Sequence, residues 1–486
     1  MIPIPRPENP RLCATSAALL IFSGSLAGCA VGPDYSAPKT EMIAFHNASA
    51  VAARDAALPS TPIDTWWTGF NDPMLVTIVK RSLDQNLDLA ASLARVQQAR
   101  AGADAAGAQL LPTVDLNIQG SAERQSLNGP IGEIGKHLPG YNRNQRLYDV
   151  GAAASWEIDL FGGLHREAAA STDEFEAAEA EHAGIRISVA ADAADAYMQV
   201  RGYQARLTVA LDQIRVNTDL LNVIRLRHGS GVSTDRELAQ AEGLLKQAQA
   251  TVPLLRISLE AQLNRLDVLM GAQPGTYAQE LEAPGEVPLV PAIGKNDEPL
   301  DVLRRRPDII AAERRLAASN ERIGAAIADY YPKISLSGAL GFESLSLNHL
   351  VTPASFQPIG TGAIRWRLFD FGKVDAEVAQ AHGSNEEALA LYKQAALKAA
   401  EDVENAFMAL TQTEVRTQEL QDEVASLTRA RDLSQQSYQA GVIPLTDVLD
   451  ADRQLLAARD DLASNRADAA RAAVRSFRAL GGGWKI

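Results

Sequence analysis

Two periodicities divide this chain. In "TVDLNIQ", Val114, Leu116 and Ile118 fall on one side of an extended chain and Asp115, Asn117 and Gln119 on the other. In "YDVGAAASWEIDL", Tyr148, Val150, Trp156, Ile158 and Leu160 oppose Asp149, Ser155, Glu157 and Asp159. Successive side chains of a strand point to opposite faces, so this period of two predicts strands. It returns at Ile334, Leu336 and Leu340 against Lys333, Ser335 and Ser337, and at Ile364, Trp366 and Leu368 against Arg365 and Arg367. After each strand pair the chain runs without proline, from Leu164 to His228 and from Lys373 to Ala440. At about 1.5 Å per residue, each such helix would be roughly 100 Å long. The turns "HGSGVS" and "QAGVIP" end them, and shorter helices follow to Gly271 and Gly481. Ahead of the first strand pair, Asp72 as N-cap and Pro73 as a first-turn proline open a helix to about Leu111.

The chain is an internal repeat. "WEIDLFGG" (156–163) matches "WRLFDFGK" (366–373) at an offset of 210, which holds to Gly271 and Gly481; upstream, "LDLAASLARVQQARAGADAAGAQLLPTVDL" matches "PDIIAAERRLAASNERIGAAIADYYPKISL" at 220. The ten-residue difference falls between Leu116 and Trp156, which places a longer loop there. The expected domains are therefore a leader (1–28), an extended arm (29–71), repeat 1 (72–271), a linker (272–300), repeat 2 (301–481) and a short tail (482–486). Within repeat 1 the strand pair spans 113–161 and the helices 162–228 and 231–271; within repeat 2 the pair spans 333–371 and the helices 372–439 and 442–480. In each half a long helix lies beside two stacked shorter ones, with a strand hairpin at the end. An alternating strand either covers a soluble core or faces lipid outside and water inside. Slender helices offer no broad core, and Trp156 and Trp366 occupy equivalent places, as interfacial aromatics do. Four strands cannot close a membrane barrel, so the lipid-facing reading requires several copies.

The N-terminus sharpens that reading. Arg6 and Arg11 precede the uncharged stretch Leu12–Gly28, too short for a comfortable membrane span, which reads as a secretory signal. It ends in Leu-Ala-Gly-Cys, the tetrapeptide a lipoprotein signal peptidase accepts, making Cys29 the acylated first residue of the mature chain, with several chains for stable anchoring. Ala30, rather than an aspartate, favours the outer membrane. Cys13 leaves with the leader, so the mature chain forms no internal disulfide. A formal net charge of −14 argues against a nucleic-acid partner, and 5% aromatic content suits long helices better than compact cores. His165 and His182, the closest histidine pair, fit no common zinc spacing, and no cysteine pair or phosphate loop suggests a cofactor or an enzyme.

Five ordered stretches, "CAVGPDYSAP", "WWTGFNDPML", "LRRRPDIIAAERRLAASNERIGAAIADYYPKISLSGALGF", "GVIPLTDVLDADRQLLAARDDL" and "ALGGGW", resemble the TolC-type outer-membrane factors, in particular the NodT-like lipoprotein branch serving resistance-nodulation-division (RND) efflux pumps. The resemblance covers essentially the whole mature chain. It implies a mainly α fold with a small β part: a homotrimer with a twelve-stranded β-barrel in the outer membrane, a long α-helical barrel crossing the periplasm, and an equatorial layer. It implies a passive exit duct for small toxic compounds, working with a periplasmic adaptor and an inner-membrane RND transporter. A duct for another translocase, such as a protein-secretion system, and a pore-less lipid-anchored coiled-coil scaffold are the rival expectations.

Asp447 and Asp450 lie three apart and share a helix face just past "GVIP". By themselves they read as surface acids, Asp450 weakly paired with Arg453. The resemblance instead implies a periplasmic gate, where threefold symmetry gathers six carboxylates, with Thr446 standing where some relatives carry a bulky apolar constriction. Gly231-Val232 and Gly441-Val442 end helices, glycine permitting the left-handed geometry there. The resemblance adds adaptor contact at these tips.

Overall fold

The computed structural model describes residues 30–38, 43–55, 61–293, 302 and 304–484. Cys29 lies outside them. They fall into two compact units: one takes in the chain up to Pro38 with Gln98–Glu176 and Arg314–Ala390, the other Lys39–Gln97, Ala177–Glu313 and Leu391–Ile486.

Among the described residues, the first unit holds one antiparallel sheet. Its strands are β1 (Thr113–Arg124), β2 (Asn144–Ile158), β3 (Lys333–Ser344) and β4 (Phe356–Arg365), hydrogen-bonded in the order β1-β2-β3-β4. The register pairs Leu116 with Ala152, Trp156 with Leu336 and Ile334 with Ile364. Directly opposed residues share a face, so Val114, Leu116, Ile118, Val150, Trp156, Ile158, Ile334, Leu336, Leu340, Phe342, Phe356 and Ile364 form one apolar face. Asp115, Asn117, Gln119, Glu157, Ser335, Ser337 and Thr361 line the other. Trp156 donates its indole N–H to the Leu110 carbonyl at 2.9 Å, and Trp366 does the same to Tyr330 at 2.9 Å, so each satisfies a carbonyl where a helix ends. The longer first hairpin connection carries a one-turn helix, Pro130–Gly135. The fourth strand departs from the sequence pattern. It starts at Phe356 and ends at Arg365, because its ladder with β3 stops at Lys333, leaving Trp366 and Leu368 beyond it.

Numbering the helices in chain order, α1 is Ala48–Asp55, α2 Pro73–Gln85, α3 Leu87–Ala108, α4 the loop helix Pro130–Gly135, α5 Gly163–Gly229, α6 Asp235–Leu269, α7 Pro307–Ala328, α8 Lys373–Gln439 and α9 Leu445–Ala479. Asp72 caps α2 by accepting from the amides of Met74 (2.8 Å) and Leu75 (3.1 Å), with Pro73 in the first turn. The single helix expected to Leu111 is instead broken at Asn86. Its backbone is extended (ψ 131°), its side-chain oxygen accepts from the Leu89 amide at 3.0 Å, and its side-chain Nδ2 donates to the Leu269 carbonyl at 3.0 Å. One asparagine thus starts α3 and ties it to the end of α6.

The core of the second unit is built where α5, α8 and α9 meet the arm. Small residues such as Ala190, Ala193, Ala194, Ala470 and Ala473 are buried there, and a Cβ on Gly202 would come within 2.6 Å of the Ala467 methyl. Alanine and glycine let helix backbones approach closely. Trp66, fully buried, stacks on Phe477 with ring centroids 5.3 Å apart and planes 10° from parallel. Truncating Trp66 to alanine would cost about 3–5 kcal/mol on the scale of large core deletions. Arg306 closes the C-terminal end, donating to the Ala479 carbonyl at 3.0 Å while pairing with Asp308 and Asp402. Among the described residues, no helix is long and apolar enough to cross a membrane.

Candidate functional site: sheet faces, helix tips and the N-terminal arm

Both faces of the sheet are open in the single chain. Val114, Leu116 and Ile118 are 69–75% exposed, and Ile364 is 72% exposed. So much apolar surface on one face of a sheet, with charges and hydroxyls on the other, fits lipid outside and water inside. Among the described residues, β1 and β4 also have no partner on their outer edges, and α3 leaves nearly all its surface exposed, with only Leu89 and Ser92 buried.

At the two tips the repeat keeps the same pair of helix-ending bonds. Past α5, the Gly231 amide donates to the His228 carbonyl at 2.9 Å and the Val232 amide to Arg227 at 2.9 Å. Past α8, Gly441 donates to Tyr438 at 2.9 Å and Val442 to Ser437 at 2.9 Å. This is the Schellman pattern, and it needs the left-handed backbone that Gly231 (φ 72°) and Gly441 (φ 73°) adopt. Val232 and Val442 point into solvent at 65% and 75% exposure. The hairpins lie side by side: Leu221 and Ile224 of the first pack with Tyr438, Leu445, Val448 and Leu449 of the second, and the Arg227 guanidinium sits 4.8 Å above the Tyr438 ring.

That packing fixes where the aspartates face. Leu445, Val448, Leu449, Asp452 and Leu455 form the buried side of α9, so Asp447 and Asp450 project away from it into solvent. Asp450 accepts from Arg453 at 2.6 Å and from Gln454 at 2.7 Å, as its spacing suggests. Among the described residues, the Asp447 carboxylate receives only a long 3.4 Å contact from the Thr446 hydroxyl. Sequence reasoning missed Asp452, which is buried 3.7 Å from the Arg431 Nε atom. Burial raises its carboxyl pKa, against the pull of Arg431 and Arg459. Its place in the 445-448-452-455 series was the available signal.

The arm is seated on the first unit. The Val31 amide donates to the Phe161 carbonyl at 3.1 Å, and Asn320 donates to the Pro33 carbonyl at 3.0 Å. Buried Arg166 reaches Glu321 at 2.8 Å and Asp34 at 2.9 Å, and these bonds, that to Glu321 foremost, hold its pKa above the usual arginine value. Gly32 lies so close to α7 that a Cβ there would stand 2.5 Å from the Gly324 Cα. The arm that would follow a lipidated Cys29 is therefore docked at the foot of the sheet. Sequence reasoning missed this seat, whose parts lie far apart in the chain.

An antiparallel sheet with one continuous apolar face, joined to very long helices and unpaired at both edges among the described residues, defines a subunit of an outer-membrane channel. The comparisons agree: the family model described as outer membrane efflux protein matches residues 78–272 and 299–482, and the chain belongs to that family. It is similar to the pyoverdine export outer membrane protein OpmQ of Pseudomonas aeruginosa, 32% identical over 88% of this chain and 89% of the relative. Nodulation protein T of Rhizobium leguminosarum bv. trifolii is 29% identical over 91% of this chain and 92% of its own length. Among solved structures, the outer-membrane channel OprN superposes with a TM-score of 0.85 at 33% identity, covering 94% of this chain and all of that one. The chain is thus an outer-membrane efflux component that extends into the periplasm.

Proposed function

We propose that three copies close one duct that carries small toxic organic compounds from an inner-membrane RND transporter, through a periplasmic adaptor, to the cell exterior. The observation that carries this reading is the sheet: apolar on one face, polar on the other, with β1 and β4 unpaired at its edges among the described residues. An open edge in lipid leaves backbone groups unsatisfied at several kcal/mol each, so β4 of one copy pairing with β1 of the next supplies the closure, twelve strands in all. The exposed flank of α3 finds its neighbour in the same way. In this assembly Asp447 and Asp450 ring the periplasmic opening, Gly231-Val232 and Gly441-Val442 receive the adaptor, and an acylated Cys29 anchors the arm. Reconstitution into planar bilayers tests the duct. Discrete single-channel currents from a crosslinkable trimer are expected, whereas a monomer without conductance would leave a lipid-anchored scaffold as the better reading. Mass spectrometry of the mature N-terminus tests the anchor, and a mature chain starting elsewhere without lipid would remove it.

A further inference from the structure

The apolar face of the sheet ends in a pair of arginines. On β2, outward residues run Ile158, Trp156, Ala154, Ala152, Val150 and Tyr148, and the next outward position is Arg146. On β1, the outward series Val114, Leu116, Ile118, Gly120 and Ala122 ends at Arg124. Arg146 is opposite Ala122 and Arg124 is opposite Asn144, so the two arginines share the apolar face as diagonal neighbours, about 7–8 Å apart. Both are exposed, and neither makes an ion pair or side-chain hydrogen bond among the described residues. Carboxylates at this end, Glu123, Asp149 and Glu343, belong to the opposite face. Two unpaired like charges next to apolar surface repel each other and call for an anion.

Strand geometry gives their depth. The run from Tyr148 to Ile158 rises roughly 34 Å at about 3.4 Å per residue. A tilt of about 40° reduces that to a height of about 26 Å, against the apolar band of about 25 Å found on outer-membrane barrels. Arg146 and Arg124 therefore stand just above the hydrocarbon, at headgroup level. They lie at the loop end of the hairpin, away from α3 and α5, which makes that level the outer leaflet. The second repeat lacks the feature: the positions equivalent to Arg124 and Arg146 are Ser344 and Phe356. A charge pair present in one hairpin only, in strands otherwise alike, is not a requirement of the sheet.

We propose that Arg124 and Arg146 form a binding site for the phosphate groups of outer-leaflet glycolipid, one site per protomer on the lipid-facing surface. The guanidinium fork bonds phosphate oxygens bidentately, and Tyr148 and Val150 below it meet the first acyl carbons. This rests on the sheet facing lipid, and the test separates the two. Full-length protein is reconstituted into phosphatidylcholine vesicles with bisphosphorylated lipid A, with the same lipid dephosphorylated, or with neither. Protection of the sheet from proteinase K reports insertion, and the unfolding temperature reports binding. Lipid A should raise the unfolding temperature of the wild type, its dephosphorylated form should not, and Arg124→Gln/Arg146→Gln should abolish the rise while the sheet stays protected. The double lysine variant should keep part of it. An equal rise with dephosphorylated lipid, with inorganic phosphate alone, or in a protected glutamine variant would overturn the site and leave the membrane-facing sheet standing. Digestion of the wild-type sheet in vesicles would overturn both. The wild-type comparison of the two lipids decides the matter even if the glutamine variant fails to fold.

Discussion

Replacing Gly32 by alanine should lift the N-terminal arm from its seat. A Cβ at this position would stand 2.5 Å from the Gly324 Cα, backbone against backbone, where no rotamer can relieve the clash. Carbon atoms settle about 3.5–4.0 Å apart, so the arm must move out by about 1 Å or more. That displacement breaks the Val31–Phe161 bond at 3.1 Å and the Asn320–Pro33 bond at 3.0 Å, each worth about 1 kcal/mol net. Holding alanine at the positive φ of 96° adds about 1 kcal/mol. The sum, about 3 kcal/mol, is roughly a hundredfold in the local opening equilibrium of the arm. Native-state hydrogen exchange reads it directly: protection of the Val31 amide should fall by about that factor, while amides of α5 and α7 keep theirs. Asp34→Asn is the control. Its carboxylate is 94% exposed, so its bond to Arg166 is screened by water and its removal should barely alter protection. Unchanged Val31 protection in the alanine variant, or an equal loss in Asp34→Asn, would refute the seat as described.

Asp447→Asn/Asp450→Asn should shift single-channel currents away from cation preference and remove sensitivity to divalent cations, with trimer stability little changed; unaltered selectivity and block would return both residues to a solvated helix face. At Gly231 and Gly441 a Cβ meets nothing within 4 Å, so alanine there costs only the backbone strain, about 1 kcal/mol in tip unfolding, and a bulky charged residue should also weaken crosslinking to the adaptor; full crosslinking would dissociate the tips from docking. Asp452 has a carboxyl pKa raised by burial, so its favourable contribution is complete below the unfolded-state value and is lost as pH rises through the raised native one. Asp452→Asn should therefore melt above the wild type at neutral pH, with the gain fading on acidification, and a variant that melts lower at neutral pH would show that the pairing with Arg431 outweighs the burial cost.

What could be read from sequence was what repeats locally. The alternation at 113–119 and 333–340 placed β1 and β3 because a strand's side-chain period needs no distant information. The glycines before Val232 and Val442 placed the Schellman turns for the same reason. The fourth strand slipped because "IRWRL" alternates as well as "FQPIGTGAIR" does, and only pairing with Lys333–Phe342 decides between them. The break at Asn86 was invisible because its side-chain Nδ2 bonds to Leu269, a partner fixed by the return of α6 and not by the neighbouring residues. The arm seat was hidden more deeply. Asp34, Arg166 and Glu321 are each unremarkable charges until folding brings three distant segments together.

The two aspartates were legible as a pair, but what singles out Asp447 appears only when the hairpins are compared. In the first hairpin, Thr234 precedes α6 and accepts from the Glu237 amide at 3.3 Å, while the Glu237 carboxylate accepts from the Thr234 amide at 2.8 Å. That capping box draws the Glu237 pKa down, chiefly through the backbone bond from Thr234. At the repeat offset of 210, Thr234 becomes Pro444 and Glu237 becomes Asp447. Proline has no amide hydrogen for a carboxylate to accept and no hydroxyl to cap with, so α9 starts without a side-chain cap. Its N-terminus is held by the buried Leu445 instead. The carboxylate that in one hairpin is occupied in closing a helix end is left in solvent in the other, three residues from a second one. Of the two equivalent turns, the one without a side-chain cap carries the exposed carboxylate that the proposed duct would set at its opening.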